Sequence, residues 1–257
     1  MTELLEIQHV SRRFPIEGGI FRTSVGFVQA IQDVSLSIEK GETLALVGGS
    51  GCGKSTLARM ITGLIAADEG EVLWNGQRLA AFSPLERAHR IQMIFQDPYA
   101  SLNPKLSVGT QLQEVVRLRE KQSATSRCIE LVNSVGLPAD VLSHYPFQFS
   151  GGQRQRIAIA RALAMKPELL IADEPLSALD VTTQAQMLTL FGQLKASLGL
   201  TLLFITHDLA VAEEFADRVV VLRDGQVVEE GPAAVVLRTP KHPYTLALLE
   251  AVPKVPC

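Results

Sequence analysis

Runs of mostly apolar residues mark the predicted core of this chain. Each run is four or five residues long, which suits a strand buried on both faces, and helical patterns separate several of the runs. This alternation predicts an α/β fold with a mixed or parallel central sheet. The runs are Leu44–Val47, Ile91–Phe95, Leu169–Ala172, Leu202–Ile205 and Val219–Leu222.

Strands of a second kind are predicted near the N-terminus, at residues 4–15 and 30–40. Apolar and polar residues alternate from Val34 to Glu39, which is typical of a half-buried antiparallel strand. Gly70–Gln77 contains an Asn-Gly turn and is predicted to join the same antiparallel layer. The glycine-containing stretch 17–26 is predicted to be a long loop.

Helical periodicity dominates from residue 97 to about 167. Because this block interrupts the series of strands, it is predicted to be an inserted helical subdomain. Residues 1–240 are expected to form one domain around it, and the proline-rich residues 241–257 a short C-terminal extension. The predicted helices of the block lie near 108–121, 125–136 and 151–166.

Composition narrows the class of protein. The net charge of −3 and the pI near 6.0 give no basic signal for nucleic acid, which is not an expected partner. The three cysteines, Cys52, Cys128 and Cys257, have no metal-ligand spacing and favour a reducing, cytosolic compartment. No signal peptide and no membrane-spanning run is expected.

A glycine-rich segment separates the first apolar run from a predicted helix, which carries Leu57, Met60, Ile61 and Leu64 on one face. Strand, glycine-rich turn and helix, in this order, are typical of a phosphate-binding loop. The alternative is an ordinary turn, and average composition produces the motif by chance in roughly one such chain in a hundred. Nucleotide binding is therefore predicted for Gly48, Gly49, Ser50, Gly51, Cys52, Gly53, Lys54, Ser55 and Thr56.

Several polar side chains have distinct predicted roles. Lys54 is expected to reach the β- and γ-phosphates, and the Ser55 hydroxyl to ligate Mg²⁺. The run Leu169–Ala172 ends in Asp173 and Glu174, at the sheet edge where ligands bind in α/β folds. Asp173 suits Mg²⁺ and Glu174 suits orienting or deprotonating a water molecule. A solvated strand end is the alternative interpretation of this pair.

A third motif opens the helix predicted at 151–166. Ser150 can be an ordinary N-cap, with the glycines easing entry into the helix. A helix N-terminus with a hydroxyl, an amide and two residues that lack Cβ is also a good anion site. The motif consists of Ser150, Gly151, Gly152 and Gln153.

Together these motifs resemble the ATP-binding subunit of ABC transporters, whose signature is S-G-G-Q. The resemblance implies a P-loop NTPase fold of the ABC ATPase type, with ATP and Mg²⁺ as ligands. It assigns Gln96 to the Q-loop, as a catalytic residue and Mg²⁺ ligand, Asp180 to the D-loop, and His207 to the switch histidine. Phe14 is the candidate for stacking on adenine, with Phe21 and Phe27 as rivals. Phe149 and Leu176 depart from the usual Leu and Thr of the family.

Two further segments resemble importers of oligopeptides, dipeptides and nickel. They are Phe95–Pro104, after the Q-loop glutamine, and the tail Pro240–Thr245. The resemblance implies hydrolysis of ATP coupled to import of peptides or nickel complexes. Because Cys257 stands alone near the terminus, no iron-sulfur centre is expected.

The resemblance also implies partners. A second ATP-binding subunit, identical or different, would complete the ATP site with its own S-G-G-Q segment. Integral membrane permease subunits and an extracytoplasmic solute-binding protein are the other expected partners, which places the chain at the cytoplasmic face of the cell membrane. A non-transport ABC ATPase and a module without catalysis are the competing interpretations.

Overall fold

The computed structural model describes residues 3–18, 23–119 and 124–251. The chain forms two compact units, Met1–Pro84 with Leu203–Cys257, and Leu85–Leu202. The second unit is wider than the helical block predicted at 97–167, since it also contains two strands and a long helix. The domain boundaries predicted from the sequence stay predictions.

The elements of the described residues have the following bounds. The strands are β1 (Glu3–Gly18), β2 (Thr23–Glu39), β3 (Thr43–Val47), β4 (Glu69–Trp74), β5 (Gln77–Arg78), β6 (Ile91–Ile94), β7 (Leu169–Asp173), β8 (Thr201–Thr206), β9 (Arg218–Arg223) and β10 (Gln226–Pro232). The α-helices are α1 (Lys54–Ile61), α2 (Pro84–Arg90), α3 (Pro98–Ser101), α4 (Val108–Arg119), α5 (Ala124–Ser134), α6 (Gly151–Leu163), α7 (Val181–Leu198), α8 (Leu209–Phe215), α9 (Ala233–Val236) and α10 (Pro243–Glu250).

The first unit contains an antiparallel sheet and a mixed sheet. The antiparallel sheet has the order β2-β1-β4-β5, and its β4–β5 turn places Asn75 and Gly76 at positive φ, as an Asn-Gly hairpin requires. In the mixed sheet, β9 runs parallel to β3 and antiparallel to β10. The predicted N-terminal antiparallel layer and the predicted mixed sheet are therefore confirmed.

The hairpin of β1 and β2 is longer than the sequence predicts. Glu17 pairs with Ser24 and Gly18 with Thr23, so the strands continue into the stretch predicted to be a loop. The prediction of a loop over residues 17–26 is wrong for these residues, because backbone pairing across the hairpin sustains the strands despite the local glycines. Residues 19–22 lie outside the described part of the chain.

A buried cluster forms the core of the first unit beneath β3 and β9. Tyr244, Leu248 and Leu249 of α10 pack against it, so the C-terminal helix is part of this unit's packing. Helix α1 buries Leu57, Met60 and Ile61 as predicted, but it ends at Ile61. Leu64 lies past that end with 64% of its surface exposed, so its predicted place on the packed face is wrong. The cluster consists of Ala45, Val47, Leu209, Ala212, Val219, Val221, Ala233, Val236 and Leu237.

The second unit combines a parallel strand pair with helices. Strands β6 and β7 pair in parallel from Ile91↔Leu169 to Ile94↔Ala172, and every residue of β7 is buried. Helices α4, α5 and α6 contact one another, and α6 also contacts β6. These three helices match the segments predicted from periodicity. Across the described ranges, we find no helix with the length and apolar character needed to cross a bilayer.

Candidate functional site

The glycine-rich loop between β3 and α1 is tightly enclosed by its own unit. A Cβ on Gly48 would lie 2.2 Å from the Leu222 carbonyl oxygen at the end of β9. A Cβ on Gly53, whose φ is 108°, would lie 2.4 Å from the Ala30 carbonyl oxygen of β2. Only glycine fits these two positions, so the backbone of the loop is held against its neighbours.

The side chain of Lys54 turns back over this loop. Its ammonium donates to the carbonyl oxygens of Gly48 at 2.8 Å and Gly49 at 3.0 Å, and the residue is 5% exposed. The Cys52 sulfur lies 3.9 Å from the same nitrogen. Burial raises the pKa of the Cys52 thiol, more than attraction by Lys54 lowers it. Cys52 is therefore a packed, protonated neighbour of the ammonium.

The N-terminus of α1 suits an anion. Its N-cap is Gly53, which offers no side-chain hydrogen bond, and the first turn has no acidic residue. No capping side chain therefore accepts a hydrogen bond from the leading amides of the helix, and no acidic side chain of the first turn offsets the positive end of the helix dipole. Ser55 and Thr56 lie half-buried in this first turn. The arrangement matches the phosphate-binding role predicted for the loop.

In the second unit, the structure brings Gln96 and Glu174 together. The Gln96 amide nitrogen donates to a Glu174 carboxylate oxygen at 3.0 Å. Asp173, at the end of β7, is 4% exposed, and Glu174 has a positive φ of 46°. A non-glycine residue in this region is uncommon and turns the chain sharply at the strand end. The two carboxylates consequently lie at the strand edge where the sequence predicts them.

The S-G-G-Q segment forms a capping box at the start of α6. The Gln153 amide donates to the Ser150 hydroxyl at 3.3 Å, and the Ser150 amide donates to the Gln153 side-chain oxygen at 3.0 Å. Ser150, Gly151 and Gln153 are exposed. The residues therefore act as an ordinary helix cap and also present their polar groups to solvent.

The start of α7 lies beside this segment. Asp180 caps α7, accepting from the Thr183 amide at 2.9 Å and its hydroxyl at 2.7 Å, and these bonds hold the pKa of Asp180 below its usual value. A Cβ on Gly152 would lie 2.7 Å from the Thr183 side chain. The segments predicted to be the signature and the D-loop are thus neighbours within the second unit.

The remaining predicted residues belong to the first unit. His207 is exposed directly after β8, where Thr206 and Asp208 fix the turn through a 2.9 Å hydrogen bond. Phe14 is half-buried, with the Arg12 guanidinium 5.0 Å from its ring centre. Phe27, on the facing strand, is 67% exposed. Phe21 and Cys257 lie outside the described residues.

The two departures from the family pattern have different surroundings. Leu176 is 6% exposed, and the Gln184 side chain donates to its carbonyl at 3.1 Å, so this segment is well packed. Phe149 is half-buried and meets the His144 ring edge-on, with 6.0 Å between ring centres. Both side chains are accommodated within the second unit.

Sequence reasoning missed one residue at the loop. The Gly49 amide donates to the Tyr244 hydroxyl at 2.9 Å, across 195 positions of sequence. In the sequence, Tyr244 is marked only as part of the tail Pro240–Thr245, which resembles the C-terminal motif of the importer group. Nothing in local patterning could have placed its hydroxyl on the glycine-rich loop.

Comparison with known proteins bears on this arrangement. A probable peptide ABC transporter ATP-binding protein, y4tS of Sinorhizobium fredii, is 48% identical over 256 residues, covering 97% of this chain and 72% of the relative. The oligopeptide transport ATP-binding protein OppF of Bacillus subtilis is 48% identical over 262 residues, covering 98% and 84%. An ATP-binding cassette solved as a dimer in a post-hydrolysis state, with ADP and Pi, superposes with a TM-score of 0.78 at 29% identity, covering 90% of this chain and 99% of the other.

The glycine-rich loop that opens α1 and the two carboxylates at the end of β7 are the features that the sequence predicts for a nucleotide-hydrolysing cassette. The chain belongs to the ABC transporter family, whose family model matches residues 31–177, more than half of its length. Residues 228–256 match the oligopeptide/dipeptide transporter C-terminal region. The chain is an ATPase of this family, as the sequence predicts.

Proposed function

We propose that this chain hydrolyses ATP to drive an importer whose cargo is a peptide. The observation that carries the proposal is the match of residues 228–256 to the oligopeptide/dipeptide transporter C-terminal region. The peptide-transport names of y4tS and OppF support the same cargo. Nickel complexes stay a second predicted cargo.

The first unit supplies the phosphate-binding residues. The loop amides and the uncapped start of α1 bind the phosphates, and Lys54 moves from the carbonyls of Gly48 and Gly49 to the β- and γ-phosphates. The ammonium then exchanges two neutral carbonyl acceptors for charged phosphate oxygens, and hydrogen bonds to charged acceptors are stronger. The adenine stacks on an aromatic ring of the β1–β2 hairpin, with Phe14 as the first candidate.

The second unit supplies the hydrolytic carboxylate. Glu174 orients or deprotonates the attacking water, and Gln96 fixes the Glu174 carboxylate through the 3.0 Å hydrogen bond. His207 is the third residue for which the sequence predicts a catalytic role. Because phosphoryl transfer depends mainly on positioning and charge, a carboxylate held in one orientation favours turnover.

Mg²⁺ is the metal expected to accompany ATP. The donors predicted from the sequence are a hydroxyl, a carboxylate and a side-chain amide, on Ser55, Asp173 and Gln96, and oxygen donors of this kind suit a hard cation. Asp173 is 4% exposed, and a carboxylate with so little contact with solvent is suited to binding a cation. When bound, Mg²⁺ would neutralise charge on the phosphates.

The exposed S-G-G-Q segment serves a neighbouring ATP-binding subunit. Ser150, Gly151 and Gln153 present a hydroxyl, backbone amides and a side-chain amide at the start of α6, so they can bind the phosphates of ATP held by that neighbour. Asp180 lies at the adjoining helix start. The neighbour is a second copy of this chain or a related subunit. ATP bound across such a pair favours its closed form.

Membrane partners complete the proposed importer. The chain would sit at the cytoplasmic face of the membrane, bound to integral permease subunits through the segment that follows Gln96. An extracytoplasmic solute-binding protein would deliver the peptide.

The test is transport by the assembled complex. The tagged chain is purified from detergent-solubilised membranes with its integral membrane partners, and the complex is reconstituted into liposomes. ATP-dependent uptake of radiolabelled peptides, abolished when the complex carries Glu174→Gln, is the expected result. Failure to retain any membrane protein, together with no uptake of peptides or of Ni²⁺, would contradict the proposal. Uptake of Ni²⁺ but not of peptides would mean that the cargo is a nickel complex and not a peptide.

A further inference from the structure

The C-terminal extension reaches the phosphate loop through the hydroxyl of a tyrosine. Tyr244, in the first turn of α10, accepts a hydrogen bond from the Gly49 amide at 2.9 Å. A Cβ on Gly49 would lie 3.1 Å from the same oxygen, so the hydroxyl rests directly against the backbone of the loop. We propose that Tyr244 is a positioning residue for the phosphate loop, an inference that rests on the proposed ATP-binding role of that loop.

The position of Tyr244 is fixed by contacts other than this hydrogen bond. Its amide donates to the His242 ring at 3.1 Å, and the Glu229 carboxylate accepts from the amides of Lys241 at 2.8 Å and His242 at 3.1 Å. Thr245 is fully buried. The start of α10 is therefore anchored to β10 whether or not the hydroxyl is present.

The ring of Tyr244 is held from a second direction. The Arg223 guanidinium, at the end of β9, lies 4.9 Å from the ring centre, a cation–π distance. Tyr244 also packs against the buried cluster that includes Val47, the last residue before the loop. A side chain restrained at its backbone, its ring face and its packed edge can hold its hydroxyl in one place at little cost in entropy.

The importance of the hydrogen bond between Gly49 and Tyr244 depends on the other groups that hold Gly49, of which the Lys54 ammonium is one. The carbonyl of Gly49 accepts from Lys54, and its amide donates to Tyr244. When the Lys54 ammonium turns towards a phosphate, it gives up that carbonyl. The Cys52 amide still donates to the Gly49 carbonyl at 3.4 Å, and Tyr244 holds the Gly49 amide, while the Gly225 amide fixes the other end of the loop through the Cys52 carbonyl at 3.0 Å.

A specific expectation follows for the hydroxyl. Loss of the Tyr244 hydroxyl should weaken the affinity for ATP but change the stability of the nucleotide-free protein less. Without nucleotide, Lys54 still holds Gly49, because no phosphate competes for the ammonium. A contact that served only to dock the tail would show the reverse pattern. Comparing ATP affinity with the unfolding midpoint therefore separates positioning from simple packing.

The experiment uses Tyr244→Phe in the full chain, which keeps the ring and removes the hydroxyl. The matched control is Tyr145→Phe, which removes a hydroxyl from a tyrosine of the other unit that stacks on Phe147. Titration calorimetry with ATP in the absence of Mg²⁺ should show about five-fold weaker binding for Tyr244→Phe and unchanged binding for the control. The midpoint of thermal unfolding without nucleotide should shift by no more than about 2 °C.

Hydrogen–deuterium exchange gives a second readout in the same proteins. In Tyr244→Phe, peptides covering Gly48–Gly53 should exchange faster while α10 keeps its protection. Unchanged or tighter ATP binding by Tyr244→Phe, an equal loss in Tyr145→Phe, or loss of protection in α10 would each overturn the inference. Wild-type protein is titrated alongside, and its failure to bind ATP would instead refute the proposed function.

Discussion

The Gln96 amide donates to the Glu174 carboxylate at 3.0 Å, and the register of the parallel strands explains why these two residues meet. Ile94 at the end of β6 pairs with Ala172 of β7. Gln96 and Glu174 each lie two residues further along the chain, just past the ends of these strands, so they leave the same sheet edge at the same level. A carboxylate proposed to act on water is thus held by an amide from the neighbouring strand.

Substitution Glu174→Gln should separate ATP binding from hydrolysis. The amide keeps the shape of the carboxylate but cannot accept a proton, and general bases contribute roughly a hundred-fold or more to rate. We expect phosphate release to fall by at least about a hundred-fold while ATP affinity, measured by calorimetry, stays within about two-fold. Steady-state hydrolysis at the wild-type rate would refute the role given to Glu174.

Removing the orienting partner should have a smaller effect. In Gln96→Ala, the carboxylate remains but loses the hydrogen bond from Gln96 that orients it, so we expect turnover to fall by about ten-fold in a phosphate-release assay. The control is Gln92→Ala, which removes a side-chain amide that donates to the Ala88 carbonyl at 2.6 Å in the same unit. Equal losses of turnover in the two variants would argue against a specific Gln96–Glu174 pair.

Lys54→Ala should weaken ATP binding itself. Lys54 is 5% exposed, and its ammonium donates to two loop carbonyls. Its hydrogen bonds to charged phosphate oxygens would be stronger than those to the neutral carbonyls. We expect the dissociation constant for ATP to rise by at least about ten-fold in calorimetric titration. Lys195→Ala, on α7 of the other unit, is the control. Unchanged affinity in Lys54→Ala would rule out the proposed phosphate role.

Local pattern and long-range contact account for what the sequence could and could not predict. The loop of Gly48–Thr56 and the pair Asp173 and Glu174 were predictable because their motifs are contiguous and flanked by apolar strands. The hairpin pairing of Glu17 with Ser24 was not, since cross-strand hydrogen bonds override local glycine content. Contact between Gly49 and Tyr244 spans 195 positions and depends on how the tail packs, which no local pattern encodes.

Substitution Gly48→Ala should destabilise the first unit more than an ordinary glycine substitution. The added Cβ would meet the Leu222 carbonyl at 2.2 Å and the Cys52 sulfur at 2.8 Å, so the backbone of the loop has to move. Overpacking of this kind costs about 1–3 kcal/mol, in addition to any backbone strain. We expect a loss of about 3 kcal/mol in unfolding free energy from urea titration.

The matched control for this prediction is Gly76→Ala, at the β4–β5 turn. Gly76 also has a positive φ of 74°, but a Cβ there meets no atom within 4 Å, so only the backbone conformation is penalised. Its expected loss is about 1 kcal/mol. If Gly76→Ala proved as destabilising as Gly48→Ala, close packing around the loop could not be the cause.

Docking of the C-terminal helix should depend on pH through Glu229. Burial raises the pKa of this carboxyl, but hydrogen bonds that include the amides of Lys241 and His242 outweigh burial, so its pKa lies below the usual value. A carboxylate with a lowered folded-state pKa stabilises the protein above its unfolded-state pKa, near 4.3, and loses this contribution as pH falls through the folded value. Glu229→Gln should therefore lower the unfolding free energy by roughly 1 kcal/mol at pH 7.

The difference in stability between wild type and Glu229→Gln should shrink as the pH falls below the unfolded-state pKa and through the lower folded-state pKa, because the wild-type carboxyl becomes neutral there. Urea titrations at several pH values measure it. Glu250→Gln is the control, since it neutralises an exposed carboxylate of the same helix and should leave the wild-type pH dependence unchanged. A difference that stayed constant from pH 7 to pH 3 would mean that the charge of Glu229 does not hold the start of α10, and that packing of Leu248 and Leu249 alone docks the tail.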